Sequence, residues 1–244
     1  MADQLTNSSV LIPLLVGFIP SIIWLIFWLN VDKEHPEPFG LLLTCFLLGG
    51  VGVLVATFLQ QSLKGVVTDP HSQVIVWAGI EEIVKFGVFY FVAYKSDFDD
   101  KPIEPPIYLI AVALGFAALE NIFYVLQPNL SGNVTAIVLT GGLRFFGSTL
   151  LHTIASCFIG ISISLLPKAA RGIAIFFGIV GAIFLHATFN FFILNNDTAS
   201  MLQIYGYLWI AAIISHIILE KLRRVPMQTA AQPIGHTAEA LKTI

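Results

Sequence analysis

Long apolar stretches separated by short polar connections make up most of the chain. Seven of them approach the roughly 20 residues that a helix needs to cross the hydrocarbon core of a bilayer. None alternates apolar and polar residues over about ten positions, as the strands of a membrane barrel do. The pattern therefore predicts an all-α, polytopic transmembrane helix bundle of about seven spans, placed roughly at 10–29, 39–63, 74–94, 107–126, 143–166, 172–194 and 202–220.

The fifth stretch is the least regular of the seven. Its apolar residues continue from Val134 to Leu166, which is too long for one span. Two consecutive glycines weaken a helix, so we expect Gly141-Gly142 to break this one. The break would leave residues 134–140 as an interfacial segment that precedes the span.

The composition agrees with a membrane protein. The chain has 244 residues, of which 57% are hydrophobic and 11% are charged, whereas soluble domains carry about 25% charged residues. After residue 224 the sequence becomes polar. We therefore predict one transmembrane domain over 1–224 and a disordered polar tail over 225–244.

Lysine and arginine residues give the orientation, because they concentrate on the cytoplasmic side of membrane proteins. If the N-terminus is outside, only Lys64 falls in an outer connection, and Lys85 and Arg144 fall inside spans. The remaining nine lie on the cytoplasmic side: Lys33, Lys95, Lys101, Lys168, Arg171, Lys221, Arg223, Arg224 and Lys242. We therefore predict an outer N-terminus and a cytoplasmic C-terminus in the cell membrane.

The third span contains three charged residues, although lipid penalises charge. From Val74 to Tyr94 these are Glu81, Glu82 and Lys85. A central charged residue costs about 2.5–3.5 kcal/mol on insertion scales, so the three together cost roughly 8 kcal/mol or more. Such residues usually face the bundle interior or a water-filled cavity, and they are candidates for a functional site.

Other ionisable residues within the spans lie at a similar depth. Counted from the predicted outer end of each span, Glu81, Glu120, His152 and His186 lie roughly six to eight residues inward. At the helical rise this is about 9–12 Å below the outer boundary. Four separate spans thus place ionisable residues at one level, which we interpret as one site in the outer half of the membrane.

Helical spacing supports the same interpretation. His186 and Asn190 are four residues apart, so they share a helix face. Arg144, Ser148 and His152 repeat this spacing in the fifth span. Polar faces of this kind point into the bundle rather than toward lipid.

The residue types suit hydrolysis. Two adjacent carboxylates in a low dielectric do not both ionise readily, so one tends to hold a proton while the other acts as a base. Histidine adds a group that polarises water or shuttles its proton. His186 and Asn190 also offer N–H donors to a developing oxyanion. Together these groups are suited to the attack of water on a carbonyl.

Four short motifs resemble those of the PrsW family of intramembrane proteases. They are "EEIVK" at 81–85, "GFAALEN" at 115–121, His152 in "LLHT", and "HATFN" at 186–190. The loop "VDKEHPEPFG" at 31–40 is similar to the acidic, proline-containing loop of that family. The resemblance runs from about residue 30 to 195. The family shares a superfamily with the CaaX prenyl endopeptidases and the CPBP proteins.

The resemblance implies an intramembrane endopeptidase. Its substrate would be a single-span, membrane-anchored protein, such as an anti-sigma factor, cut near the extracytoplasmic face in a site-1-type cleavage. The implied partners are this substrate and the lipid bilayer, with no nucleic acid. By analogy with the CaaX branch, Glu81 would activate water with His152 as its partner, and His186 with Asn190 would stabilise the oxyanion. The residues that would support this network are Glu82, Glu120, Lys85, Asn121 and Arg144.

Two alternatives use the same residues. Glu81 or Glu82, together with Glu120, His152 and His186, offers ligands for Zn²⁺, which would make the enzyme a metalloprotease. We favour the metal-free glutamate mechanism, because the local His-x-x-x-His pair of many zinc sites is absent from the sequence. A proton- or cation-coupled transporter also uses carboxylates and histidines inside the membrane, but no internal repeat is visible.

The partner of Lys85 decides which carboxylate is the base. Spacing of four residues favours Glu81, which would leave Glu82 as the base. Alternatively, Lys85 reaches another acid, such as Glu120, and Glu81 stays free. We expect the second arrangement, because the motif resemblance assigns the water to the first glutamate.

Overall fold

The computed structural model describes residues 2–32, 37–95, 101–126, 133–194 and 198–225, and these parts of the chain contain helices and no strand. Eight α-helices follow in chain order: α1 Ala2–Leu29, α2 Phe39–Leu63, α3 Pro70–Phe89, α4 Glu104–Val125, α5 Val134–Phe146, α6 Ser148–Leu165, α7 Arg171–Leu194 and α8 Thr198–Arg223. A π-helical turn, Tyr90–Tyr94, continues α3, and two 3₁₀ turns lie at Asn30–Asp32 and Lys168–Ala170.

Six helical stretches in the described residues are long and apolar enough to cross a membrane. They are Leu11–Leu29, Phe39–Leu63, Glu104–Val125, Val134–Leu165, Arg171–Leu194 and Leu202–Arg223. The charged helix α3 has 20 residues and packs among them, so it completes the bundle. The predicted all-α bundle of about seven spans is confirmed. The predicted tail lies outside the described residues, except for Val225.

Helix α4 forms the centre of the bundle. It is buried from Glu104 to Ala118 and packs against α1, α2 and α6. The backbones of α2 and α4 approach closely at two glycines, since Gly49 contacts Val112 and Gly115 contacts Phe46 with no room for a Cβ atom. Small residues commonly permit such close packing of membrane helices. This close packing fixes the position of α4 in the bundle.

The break between α5 and α6 differs from the prediction. The two helices meet at Gly147, whereas Gly141 and Gly142 are helical, so the predicted break at Gly141-Gly142 is wrong. Gly141 instead packs against the side chain of Val16 in α1. At Gly147, a Cβ atom would lie 2.6 Å from the hydroxyl oxygen of Tyr205. The break therefore lies against Tyr205 of α8, which is distant in sequence.

The start of α3 is fixed by a capping residue. The Asp69 carboxylate accepts a hydrogen bond from the Ser72 amide at 2.7 Å, and Pro70 occupies the first turn. Both features are typical of helix N-termini. The Ser72 amide lowers the pKa of the exposed Asp69 below its ordinary value of 3.8. This cap sets where α3 begins and therefore how far along the helix its charged residues lie.

Candidate active site

The charged residues of α3 form a buried ion pair. Lys85 Nζ lies 2.5 Å from Glu82 Oε1, and both side chains are fully buried. The expected pairing of Lys85 with Glu120 is wrong, and so is the alternative pairing with Glu81. Residues three apart share a helix face as readily as residues four apart, and this explains the pair with Glu82.

His186 of α7 connects the two glutamates. Its Nδ1 lies 2.7 Å from Glu82 Oε1, and its Nε2 lies 3.7 Å from Glu81 Oε2. Because Glu82 is paired with Lys85, its carboxylate accepts the hydrogen bond and Nδ1 carries the proton. In the neutral form of the ring, the lone pair is then on Nε2, the nitrogen nearer to Glu81.

His152 of α6 is held at both ring nitrogens. Lys85 Nζ lies 3.0 Å from Nδ1, and Glu120 Oε2 lies 3.0 Å from Nε2. An ammonium group only donates, so Nδ1 accepts and the Nε2–H donates to Glu120. The ring stands perpendicular to that of His186, with 5.0 Å between centroids.

Arg144 of α5 pairs with Glu120 of α4 and organises the residues around it. Arg144 Nη2 lies 2.5 Å from Glu120 Oε2 and donates to Ser148 Oγ at 3.0 Å. Its Nε donates to Asn121 Oδ1 at 2.5 Å, and Asn121 in turn donates to Thr149 Oγ1 at 2.9 Å. Arg144 is therefore the cationic partner of Glu120, a role that we expected for Lys85.

Glu81 is the least engaged carboxylate of the network. Its Oε1 accepts a hydrogen bond from Gln60 Nε2 of α2 at 2.9 Å. Its Oε2 is buried and has no hydrogen-bond partner in the described part of the chain. Glu82 Oε2 is also without such a partner, but Glu82 Oε1 already contacts Lys85 and His186. Glu81 therefore stays free of Lys85, as expected.

Gln60 was missed by the sequence analysis. It lies near the end of an apolar helix, next to the exposed Gln61, and neither belongs to a recognised motif. A signal was present in the small or buried residues Gly52, Val53 and Ala56, which mark the face of α2 toward the bundle. Gln60 continues this face by one turn.

The network reaches the surface of the bundle at one edge. Side chains of Glu82 and Lys85 are fully buried, whereas those of Glu120, Arg144 and Glu81 are 30%, 14% and 13% exposed. Asn190 lies on α7 one turn beyond His186 and is half-buried. Its side chain makes no hydrogen bond to the described residues of the network, so its role as an oxyanion donor stays a prediction.

Three residues of the network could hold a metal ion. Glu81, His152 and His186 each offer one ligand atom, and these atoms lie within 4.8 Å of one another. One carboxylate and two imidazoles form a donor set found in catalytic zinc sites. Glu82 and Glu120 bond the second nitrogens of the two rings, as carboxylates commonly do behind metal-bound histidines. The residues fit a metal, provided that Lys85 leaves His152 Nδ1.

Comparisons with known proteins point to one family. The model of the PrsW family of intramembrane metalloproteases matches residues 37–218. Protease PrsW of Geobacillus kaustophilus is 36% identical over 124 residues, which are 50% of this chain and 54% of that protein. Protease PrsW of Bacillus subtilis is 29% identical over 113 residues, 45% of this chain and 52% of that protein. The matched segments thus span about half the length of these relatives. No solved structure matches the chain.

Proposed function

We propose that this chain, which belongs to the PrsW family of intramembrane metalloproteases, hydrolyses a peptide bond of a membrane-anchored protein inside the bilayer. The observation that carries the proposal is the unengaged, buried Oε2 of Glu81, which lies 3.7 Å from His186 Nε2. A buried carboxylate oxygen without a hydrogen bond is costly, so a functional reason is needed for one that is kept.

Glu81 is the proposed general base. Its Oε2 and the Nε2 of a neutral His186 ring are both acceptor atoms, so the pair suits a water molecule, which donates. Glu81 takes a proton from this water, and the water oxygen bonds to the scissile carbonyl carbon. The carbon–nitrogen bond then breaks, and the leaving nitrogen takes the proton from Glu81. His186, which the resemblance assigned to the oxyanion, lies 3.7 Å from Glu81 Oε2, whereas the expected partner His152 contacts Lys85 and Glu120.

The other ionised residues hold this pair in place. Lys85 and Glu82 fix the ring of His186 through its Nδ1, and Arg144 fixes Glu120. Preorganised groups of this kind lower the barrier because they need not reorient during the reaction. The 30% exposure of the Glu120 side chain supports access of water and substrate at that edge.

A metal-dependent form of the reaction uses the same residues differently. If Zn²⁺ is bound, Glu81, His152 and His186 would hold it, and it would supply a Lewis acid that activates water and polarises the carbonyl. The donor set and the family description support this form. The engagement of both His152 nitrogens by Lys85 and Glu120 supports the glutamate form, which we propose first.

The proposed substrate class comes from the family resemblance. It implies a single-span membrane protein, such as an anti-sigma factor. The positive-inside distribution of lysine and arginine supports a cut near the extracytoplasmic face, with the N-terminus of this protease outside and its tail in the cytoplasm.

The test is cleavage by the purified full chain in vesicles that contain bacterial single-span membrane proteins, with new N-termini identified by mass spectrometry. We expect cleavage by the wild type and a loss of about 10²–10⁴-fold in Glu81→Gln. Zinc content of the same preparations separates the two mechanisms, since one zinc per chain would favour the metal form. Proton flux without cleavage would refute the protease and favour a transporter.

A further inference from the structure

One face of α2 leads from the centre of the bundle to the proposed site. Near the middle of the helix, Gly49 packs against the backbone of α4. One turn later, a Cβ atom placed on Gly52 would lie 3.2 Å from the side chain of Val84 in α3. Ala56 follows on the same face and is buried against α3 and α4. Gln60 comes one turn after Ala56, so it is the polar end of an otherwise apolar contact face.

Gln60 makes the two oxygens of Glu81 unequal. Its amide nitrogen lies 2.9 Å from Oε1, while Oε2 is buried without a hydrogen bond to any described residue. Because a carboxylate only accepts, the amide must present its N–H₂ group and not its oxygen. The amide therefore has a defined orientation, and so does the carboxylate plane that it contacts.

We propose that Gln60 is a positioning residue. It holds Oε1 of Glu81 so that Oε2 of Glu81 faces His186. The proposal rests on the proposed function of Glu81 as the base. The terminal torsion of a glutamate is broad, so a carboxylate without a fixed partner samples many orientations. A donor on a packed helix restricts that sampling before the substrate binds. Gln60 itself contacts neither water nor substrate in this role.

The first experiment compares Gln60→Met with Gln61→Met in the full chain. Methionine keeps the length of glutamine but has no N–H donor, and the exposed Gln61 is a matched control on the same helix turn. The substrate is the membrane protein that the wild type cleaves in vesicles. We expect kcat to fall about tenfold in Gln60→Met with KM within about twofold, because the loss affects the orientation of the base and not binding. Gln61→Met should match the wild type.

A second variant reverses the contact. Gln60→Glu replaces the donor by an acceptor and places two carboxylates side by side, so kcat should fall further than in Gln60→Met. Gln61→Glu is its control. A Gln60→Glu variant as active as the wild type would overturn the proposal.

The third measurement does not depend on cleavage. Melting temperatures in detergent are compared for Gln60→Met in the wild-type and Glu81→Leu backgrounds, which forms a double-mutant cycle. We expect a loss of about 2–4 °C in the wild-type background and less than about 1 °C when Glu81 is absent. Equal losses in both backgrounds would show that Gln60 does not hold Glu81.

The outcomes separate the two proposals. Unchanged kcat in Gln60→Met of an active protease would overturn the positioning role and leave the proposed function standing. A wild type that cleaves nothing would refute the proposed function. The melting temperatures would then still decide whether Gln60 fixes Glu81.

Discussion

Buried acidic residues lie at both ends of α4, but in different surroundings. At the C-terminal end, Glu120 belongs to a network with two histidines and an unengaged carboxylate oxygen. At the N-terminal end, the hydroxyl of Tyr108 donates to Glu37 Oε2 at 2.5 Å, and Lys101 Nζ lies 4.0 Å from Glu37 Oε1. Tyr108 and Glu120 are twelve residues apart, which is about 18 Å along the helix.

The comparison shows that burial of charge does not by itself identify a catalytic site. Glu37 contacts a phenol and an ammonium group. The hydrogen bond between Tyr108 and Glu37 joins the segment before α2 to the central helix α4. The other end combines imidazoles with Glu81 Oε2, an acceptor that water could fill. The proposed site therefore rests on the two imidazoles beside Glu81 Oε2 and not on burial of charge.

The largest expected effect separates two histidines, one inside the network and one outside it. His186 lies in the network, whereas the ring of His216 packs against Phe27 and Trp28 of α1. We expect His186→Gln to lower cleavage about 10²–10⁴-fold and His216→Gln to leave it within about twofold. Initial rates on the substrate found in vesicles provide the measurement. Similar rates in the two variants would remove the distinction between the network and the rest of the bundle.

A second, smaller effect concerns the stability of the ion pair. Lys85→Met leaves the fully buried Glu82 without its cation. Breaking a buried pair costs about 3–5 kcal/mol in soluble proteins, and less is expected in a membrane. The double variant Lys85→Met with Glu82→Gln should recover most of the loss, because the uncompensated charge is gone. Lys85→Met with Glu120→Gln is the control and should not recover, since Glu120 pairs with Arg144. Thermal unfolding in detergent compares the wild type, Lys85→Met and the two double variants.

A third effect concerns the N-terminal end of α4. Tyr108→Phe removes the hydrogen bond to Glu37 and leaves the ring in place. Hydrogen bonds to charged groups contribute about 1.5–3 kcal/mol, so the melting temperature should fall by several degrees. Cleavage at a temperature where both proteins are folded should not change. Tyr207→Phe, on the exposed face of α8, is the matched control. A large loss of cleavage in Tyr108→Phe would mean that this end also serves the reaction.

The helices and the gathering of the polar residues could be predicted from the sequence. Hydropathy marks membrane-long helices because lipid requires them to be apolar, and a shared depth brought Glu81, Glu120, His152 and His186 together. The pairings could not be predicted in this way. Glu81 and Glu82 offered Lys85 spacings of four and three residues, and only the rotation of α3 against α6 and α7 favours Glu82.

Contacts that depend on distant helices were also missed. Tyr205 of α8 donates to the carbonyl of Leu143 beside the break at Gly147, and Gln60 of α2 donates to Glu81. A local pattern could place Gln60 on the face toward the bundle, but it could not give the partner in either contact, because each depends on how two helices are rotated against one another. The catalytic roles, the metal and the orientation in the membrane stay predictions.

The smallest expected effect concerns the exposed start of α3, which lies in neither region. The Ser72 amide stabilises the ionised form of Asp69, so the pKa of Asp69 is lower in the folded chain than its ordinary value of 3.8. The folded state therefore binds fewer protons than the unfolded state in acid. This contribution to stability is complete above the ordinary value, and it is lost as the pH falls from about 4 through the folded pKa. Asp69→Asn keeps a good capping side chain but cannot titrate.

We therefore expect the melting temperature of the wild type to fall slightly more than that of Asp69→Asn between about pH 5 and pH 3. The difference should be about 2 °C or less, because the carboxylate is exposed and water screens its interactions. Above about pH 5 the two curves should run parallel. A difference that grows toward neutral pH would assign the effect to another group, and the cap would not be what titrates at the start of α3.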